Sequence, residues 1–459
     1  MRARQIAAAG AIALVLAGCV PGQTPRPEAA SVAPPAGWRT PITGTVPLKA
    51  QWWRDFGDPA LDDLVASALA GNPDIATAAA RVREARAQET LARAQLFPTL
   101  DLGAGATYGR SVSAFGTPVT SAGAQPVFQA SYEVDLFGRI DKQITAAGFA
   151  TSALDAARDT ARLSVASAVT SGYLTLLGLD ARLQVVRDTI TSRAEALRIA
   201  RSRARVGYTS QLELRQAEAE YQATVAILPQ VQLAIARQEN ALSVLAGRTP
   251  GSIVRGKTLD TLTTPAVPIG LPSELLRRRP DIAQAERTLA ASDVTIAAAR
   301  AQFLPTLRLT GTGGAALSTL LANPITIWSV GTSVLAPIFQ GGRLRANVDA
   351  ATARRDQAAF GYQRVALQAF RETDDALVAI DRLGEQTRVL AAQRTAVAET
   401  LRHATNRYRA GYSPYLEQLD AQRALLSVDL SRVQLRTDAL TARVALFQAL
   451  GGGWRGDQP

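Results

Sequence analysis

Ala92-Arg93-Ala94-Gln95-Leu96-Phe97-Pro98-Thr99-Leu100 returns later in the chain as Ala299-Arg300-Ala301-Gln302-Phe303-Leu304-Pro305-Thr306-Leu307, and Pro73-Asp74-Ile75-Ala76 returns as Pro280-Asp281-Ile282-Ala283. Both pairs share one offset, since 299 minus 92 and 280 minus 73 are each 207. Arg205-Val206-Gly207-Tyr208 then matches Arg409-Ala410-Gly411-Tyr412, and Ala241-Leu242 through Gly247 matches Ala445-Leu446 through Gly451, at an offset of 204. A duplicated unit explains such matches, so each half is expected to build the same elements in the same order.

Each unit opens with a helix at Pro73 or Pro280, because a first-turn N–H lacks a partner anyway and proline there forfeits nothing. It closes before Pro98 or Pro305. Two stretches of about ten residues follow with a period of two. Phe128-Gln129-Ala130-Ser131-Tyr132-Glu133-Val134-Asp135-Leu136 alternates cleanly; Leu100 to Tyr108, Leu307 to Thr312 and Trp328 to Ala336 do so more loosely. Such lengths suit tilted strands crossing a bilayer, although a half-buried sheet in a soluble protein alternates in the same way. The period then becomes helical, through Leu163, Ala166, Val169, Tyr173 and Leu176 in the first half and Ala366, Phe370, Thr373, Leu377 and Ile380 in the second. No proline falls between Asp141 and Val206, a stretch that as one helix would reach about 100 Å. The return legs, Gln211 to Ala246 and Pro414 to Leu450, are shorter, and Pro229 is expected to kink the first. Gly207 and Gly411 mark the turns, so each unit ends in a long helical hairpin.

Composition narrows the chemistry. The 459 residues are 47% hydrophobic with a net charge of +11, too apolar for disorder. One Cys excludes internal disulfides and multi-thiolate metal sites, and one His, His403, leaves no two-histidine metal motif and a single candidate for a Ser-His-Asp system. No catalytic or metal-binding residue is nominated, and His403 is read as a helix-surface residue. Arg is scattered at helical spacing among acids, unlike the concentrated basic patch that nucleic acid requires.

At the N-terminus, Arg2 and Arg4 precede the apolar run Ile6 to Leu16, too short to span a membrane and suited to a secretion signal. It ends in Leu16-Ala17-Gly18-Cys19, which resembles the lipobox of bacterial lipoproteins. That resemblance implies cleavage after residue 18, acylation of Cys19 and, with Val20 next in the chain, delivery to the outer membrane; several acyl chains make a firm anchor. Pro, Gly, Thr and Ser from Val20 to Pro47 read as an extended tether.

Two strands per unit give four per chain, and an open four-stranded sheet cannot sit in lipid with unpaired edges. Other copies must close it. Three chains giving twelve strands is a natural solution, while the strand count alone also admits two or four.

Gln51-Trp52-Trp53-Arg54-Asp55-Phe56-Gly57-Asp58-Pro59-Ala60-Leu61-Asp62-Asp63-Leu64, with Ala68-Leu69 and Asn72 after it, resembles the opening of the TolC-like outer-membrane factors, in the lipoprotein branch paired with resistance, nodulation and division (RND) efflux pumps. Arg407-Tyr408-Arg409-Ala410-Gly411-Tyr412 with Tyr415-Leu416-Glu417-Gln418-Leu419-Asp420-Ala421-Gln422-Arg423 resembles that family's second hairpin tip, and Ala449-Leu450-Gly451-Gly452-Gly453-Trp454 its ending. The resemblance implies a mainly α fold with a transmembrane β-barrel: a homotrimer whose four strands per chain form a twelve-stranded barrel and whose hairpins form a periplasmic α-helical barrel. It implies a periplasmic adaptor (membrane fusion protein), an inner-membrane RND transporter and outer-membrane lipid as partners, and no cofactor besides the lipid on Cys19. It places a gate at Leu416 and Asp420 with Arg423 beside them, where a ring of carboxylates would repel itself and bind cations. Val206, Gly207, Tyr208, Ala410, Gly411 and Tyr412 become adaptor-facing tips.

The expected organisation is a signal peptide (1–18), a lipidated tether (19–47), a first repeat (48–247), a linker (248–272), a second repeat (273–451) and a tail (452–459). Gly251-Ser252-Ile253-Val254-Arg255-Gly256-Lys257-Thr258 fits a phosphate-cradling loop in letters, but it comes after a helix and precedes Pro265 and Pro268, so it is read as linker. Gly311-Thr312-Gly313-Gly314 is read as a flexible loop between strands. The expected function is a non-catalytic outer-membrane exit duct of a tripartite efflux pump for small toxic or amphiphilic compounds. The alternatives are a duct for type I protein secretion and a structural coiled-coil envelope lipoprotein; the latter has no need of alternating strands.

Overall fold

The structure, a computed structural model, describes residues 25–40, 47–268 and 272–454. The signal segment and Cys19 lie outside these residues. Nine α-helices and four strands are formed among them: α1 (Pro59–Gly71), α2 (Pro73–Ala94), β1 (Thr99–Val112), β2 (Pro118–Val134), α3 (Arg139–Arg205), α4 (Gln211–Val225), α5 (Ile227–Leu245), α6 (Pro272–Arg278), α7 (Pro280–Ala301), β3 (Thr306–Ser318), β4 (Ile325–Leu335), α8 (Arg343–Arg409) and α9 (Tyr415–Ala449). The second half repeats the first, except that its return leg α9 is unbroken. The first return leg divides at Ala226, three residues before Pro229, whose missing N–H leaves the Val225 carbonyl without its helical donor.

The chain forms two compact units. One contains residues 80–155 and 284–364 and holds all four strands, in the order β1-β2-β3-β4, each antiparallel to the next. Register runs Leu102↔Phe128↔Gly313↔Trp328 and Leu100↔Ala130↔Gly311↔Val330. Because side chains alternate, that register puts Leu100, Leu102, Tyr108, Phe128, Leu309, Trp328, Val330 and Val334 on one face. All eight are exposed. The opposite face carries Asp101, Gln129, Thr312 and Ser329 on one rung, with the last two joined by a 2.7 Å hydroxyl pair. The strands run from 11 to 17 residues, longer than the alternation suggested, because Gly, Ala and Ser in their outer parts blur the polarity signal. Gly311 to Gly314 lie inside β3 and not in a loop, which corrects the sequence reading: the tight approach of the Pro126 carbonyl leaves no room for a Cβ at Gly314.

The other unit contains residues 32–79, 156–283 and 365–459. Its core joins Trp52, Phe56, Leu61 and Val65 to Val169, Tyr173, Leu176, Leu440 and Phe447, with Trp52 stacked on Phe447 at 5.1 Å. Fully buried Asp58 accepts three hydrogen bonds: from Ala60 N–H at 3.0 Å as the cap of α1, from the Tyr173 hydroxyl at 2.8 Å and from Lys257 N–H at 3.0 Å, while the same hydroxyl accepts from Gly256 N–H. Burial, with the Asp58 carboxylate, pushes the Tyr173 phenol up. The segment shaped in letters like a phosphate loop thus spends two backbone donors on Asp58 and Tyr173, and it runs into a three-residue 3₁₀ turn, Leu259–Thr261, where a phosphate loop would open a long helix.

Residues 25–40 differ from the expected tether. In the strand-bearing unit, Arg26 donates to Asp293, and the carbonyls of Pro25 and Ala29 accept from Arg355 and Gln363 of α8. In the helical unit, Arg39 N–H donates to Asp374 at 3.0 Å and Trp38 packs on Phe370. Ala29 sits in a three-residue 3₁₀ turn, Glu28–Ala30, too short to use its own carbonyl, and α8 supplies the donors for it and for Pro25.

Candidate functional site

Both hairpin tips end their first leg in the same way. Gly207 (φ 71°) donates to the Ala204 carbonyl at 3.2 Å and Tyr208 N–H to the Arg203 carbonyl at 2.9 Å. Gly411 (φ 80°) donates to Tyr408 at 3.1 Å and Tyr412 to Arg407 at 2.9 Å. This paired closure needs a left-handed residue, and glycine adopts that conformation without steric cost. It leaves Val206, Tyr208 and Tyr412 79, 68 and 81% exposed, so the predicted tip residues present apolar surface to solvent. The α4 leg then starts with Ser210, whose hydroxyl accepts from Glu213 N–H.

The two tips are joined to each other. Arg203, at the end of α3, donates to the carbonyls of Tyr408 (3.2 Å) and Arg409 (3.0 Å) at the end of α8, and its guanidinium lies 4.6 Å from the Tyr408 ring centre. A cation bonded to terminal carbonyls also complements the negative end of that helix. The Tyr408 hydroxyl donates to Glu213 at 2.5 Å; burial, reinforced by that carboxylate, pushes its phenol up. Tyr408 and Tyr415 sit within a small core with Leu197, Ala200, Ala217 and Leu419.

Two turns along α4, Glu220 is held from two sides. Arg193 of α3 reaches it at 2.6 Å and also donates to its carbonyl and to Thr224; Arg423 of α9 donates twice, at 2.7 and 3.1 Å. The Glu220 side chain is 11% exposed and that of Arg193 only 4%. Burial lowers the Arg193 pKa, opposed by Glu220, while the bond to Glu220 raises that of Arg423.

Of the three gate residues read from sequence, Arg423 lies in this network, whereas Asp420 and Leu416 stand outside it. The Asp420 side chain is 66% exposed and only 4.0 Å from Arg423, which is committed to Glu220. Leu416 is exposed one turn before it. Sequence reading missed Arg193, Arg203, Glu213, Glu220 and Tyr408. For Glu220 there was a signal: Ala217, Glu220 and Thr224 form a buried three-four stripe, and a carboxylate on such a stripe requires a cation. His403 is exposed beside Arg402 and 3.9 Å from Glu399. Among the described residues no group of three or more His, Cys, Asp or Glu is arranged to hold a metal ion.

The profile of the family described as outer membrane efflux protein matches residues 64–248 and 271–452. The chain is 33% identical to the pyoverdine export outer membrane protein OpmQ of Pseudomonas aeruginosa, over 97% of this chain and 96% of that one. It is 32% identical to the toluene efflux pump outer membrane protein TtgC of Pseudomonas putida, over 96% of this chain and 94% of that one. The crystal structure of the open state of the Neisseria gonorrhoeae MtrE outer membrane channel matches with a TM-score of 0.82 at 29% identity, covering 95% of this chain and 99% of that one.

Proposed function

Because this chain belongs to the outer membrane efflux protein family, we propose that three copies assemble into the exit duct of a tripartite efflux pump, gated at the hairpin tips. The observation that carries the reading is the sheet. One face is apolar and exposed, the other carries mainly Ser, Thr, Gly and Gln, and β1 and β4 are edges without a partner among the described residues. In lipid such edges are untenable, and closure by identical copies turns the apolar face to the acyl chains and the polar face to a water-filled lumen. With twelve strands the wall closes at a radius of about 12 Å, wide enough for small solutes.

The tips supply the gate. Closed hairpins are held together by Arg203 on the α8 carbonyls, by Tyr408 on Glu213 and by Arg423 on Glu220. Each bond joins the first hairpin to the second, so separating the hairpins breaks all three together. Asp420, exposed and only loosely paired with Arg423 at 4.0 Å, and exposed Leu416, one turn before it on α9, would form the constriction, where repelling carboxylates store energy that opening releases. A periplasmic adaptor would bind the exposed Val206, Tyr208 and Tyr412 and offset the loss of the inter-hairpin bonds, and an inner-membrane RND transporter would supply cargo. Cys19 would carry the lipid, with residues 25–40 holding the anchored end against α8. OpmQ and TtgC are named for pyoverdine export and toluene efflux, which supports small compounds over secreted polypeptides as cargo. The duct itself performs no chemical step. Purified protein in a planar bilayer is expected to form discrete ion-conducting channels; protein that folds and inserts without conducting would overturn the reading.

A further inference from the structure

Across the four strands, the polar face carries only three charged side chains: Asp101, Glu133 and Arg308. The rest of that face is largely Ser, Thr, Gly and Gln, with a few aliphatic residues. Glu133 lies opposite Arg308 in register, yet its carboxylate is engaged by Arg139 at 2.7 Å, with both side chains largely covered. Arg308 and Asp101 are exposed and make no ion pair or side-chain hydrogen bond among the described residues. Arg308 occupies the helix-proximal end of β3. Asp101 shares a rung with Gln129 and Thr312, four residues further along β3 and two strands across. At about 3.4 Å per residue and 4.8 Å per strand, the two are about 17 Å apart. The Debye length at physiological salt is about 8 Å, so neither neutralises the other, whereas the field of a side chain projecting inward from a wall at about 12 Å reaches the axis.

We infer that Arg308 and Asp101 are the charge filter of the β-barrel, a positive collar at its helix-proximal end and a negative one further out. The inference rests on the polar face lining the lumen. It assigns discrimination within the barrel to the sign of the solute's charge, since the smooth hydroxyl- and glycine-lined wall beyond offers little for shape to read. Anionic solutes arriving from the tunnel gain from Arg308 first, and cationic ones from Asp101.

The test is the reversal potential of single channels across a KCl gradient, in the Asp420→Ala, Arg423→Ala background so that the charges of the tip do not mask the barrel. Arg308→Ala is expected to raise the cation-to-anion permeability ratio severalfold near 0.1 M salt, Arg308→Lys to leave it unaltered, and Asp101→Asn to lower it; the shifts should shrink at 1 M, where the Debye length falls to about 3 Å. Conducting channels whose reversal potential is the same in parent, Arg308→Ala and Asp101→Asn would overturn the filter and leave the duct standing. Folded protein without any conducting channel would overturn the duct and the filter together.

Discussion

Arg423→Ala isolates the lock between the two hairpins. The substitution removes two charge-assisted hydrogen bonds, at 2.7 and 3.1 Å, from the Glu220 carboxylate. Bonds to charged groups contribute about 1.5–3 kcal/mol when sheltered. The Arg423 side chain is 54% exposed, so solvent screening reduces its share to about 1 kcal/mol. Glu220 keeps Arg193 at 2.6 Å, and no buried charge is orphaned. Glu220→Gln is the poorer choice, because it strips a buried Arg193 of its counter-ion at a cost of about 3–5 kcal/mol and endangers folding. If three hairpin pairs open in concert, about 3 kcal/mol shifts the open-to-closed ratio by about a hundredfold. Single-channel recording reads that ratio as open probability, and Arg423→Lys, with a point charge in place of a fork, is expected between parent and Ala. Arg423→Ala channels of parental open probability would show that this lock does not hold the closed state.

Replacing Asp420 by Ala should raise the conductance of the purified channel by removing carboxylates from the proposed constriction; unchanged conductance would remove it from the proposed gate. Val330→Lys puts a charge on the lipid-facing side of β4 at a cost of about 2–4 kcal/mol and should impair insertion into liposomes, whereas Ser329→Lys, one residue earlier and facing the lumen, should insert normally. Equal insertion of the two would invert or abolish the assignment of faces. Burial and Glu213 push the Tyr408 phenol up, which on the proposed gating keeps it protonated in the closed tip. The closed state therefore binds this proton more tightly than an open one that exposes Tyr408. Closure should be independent of pH below the ordinary phenol value of about 10 and weaken as pH rises above it. A Tyr408→Phe channel should start more open and lack the alkaline response; an identical alkaline response in that variant would place the titrating group elsewhere.

The repeat, the long helices and the four strands were readable because each rests on periodicity over many residues. Pro98 and Pro305 stop the short helices, and Gly207 and Gly411 close the long ones, through backbone geometry that a residue type alone specifies. The strand ends were less readable, since Gly103, Gly105 and Gly109 carry no side chain whose polarity could alternate. Inter-hairpin bonds were largely invisible. Arg193, Arg203 and Arg423 are three among many arginines at helical spacing, and only the fold says which meet a carboxylate or carbonyl over 27, 205 or 203 positions respectively. Likewise, proline-rich residues 25–40 read only as an extended tether because the groups that hold them lie far along the chain, in α7 and α8.

The account depends on a sheet with two open edges being completed by copies of itself. Native mass measurement of the detergent-extracted mature protein, on the sample used for bilayer recording, tests that most directly. The expected species has three times the chain mass and conducts ions. A folded species of one chain, retaining its strands in detergent and forming no channel, would contradict it.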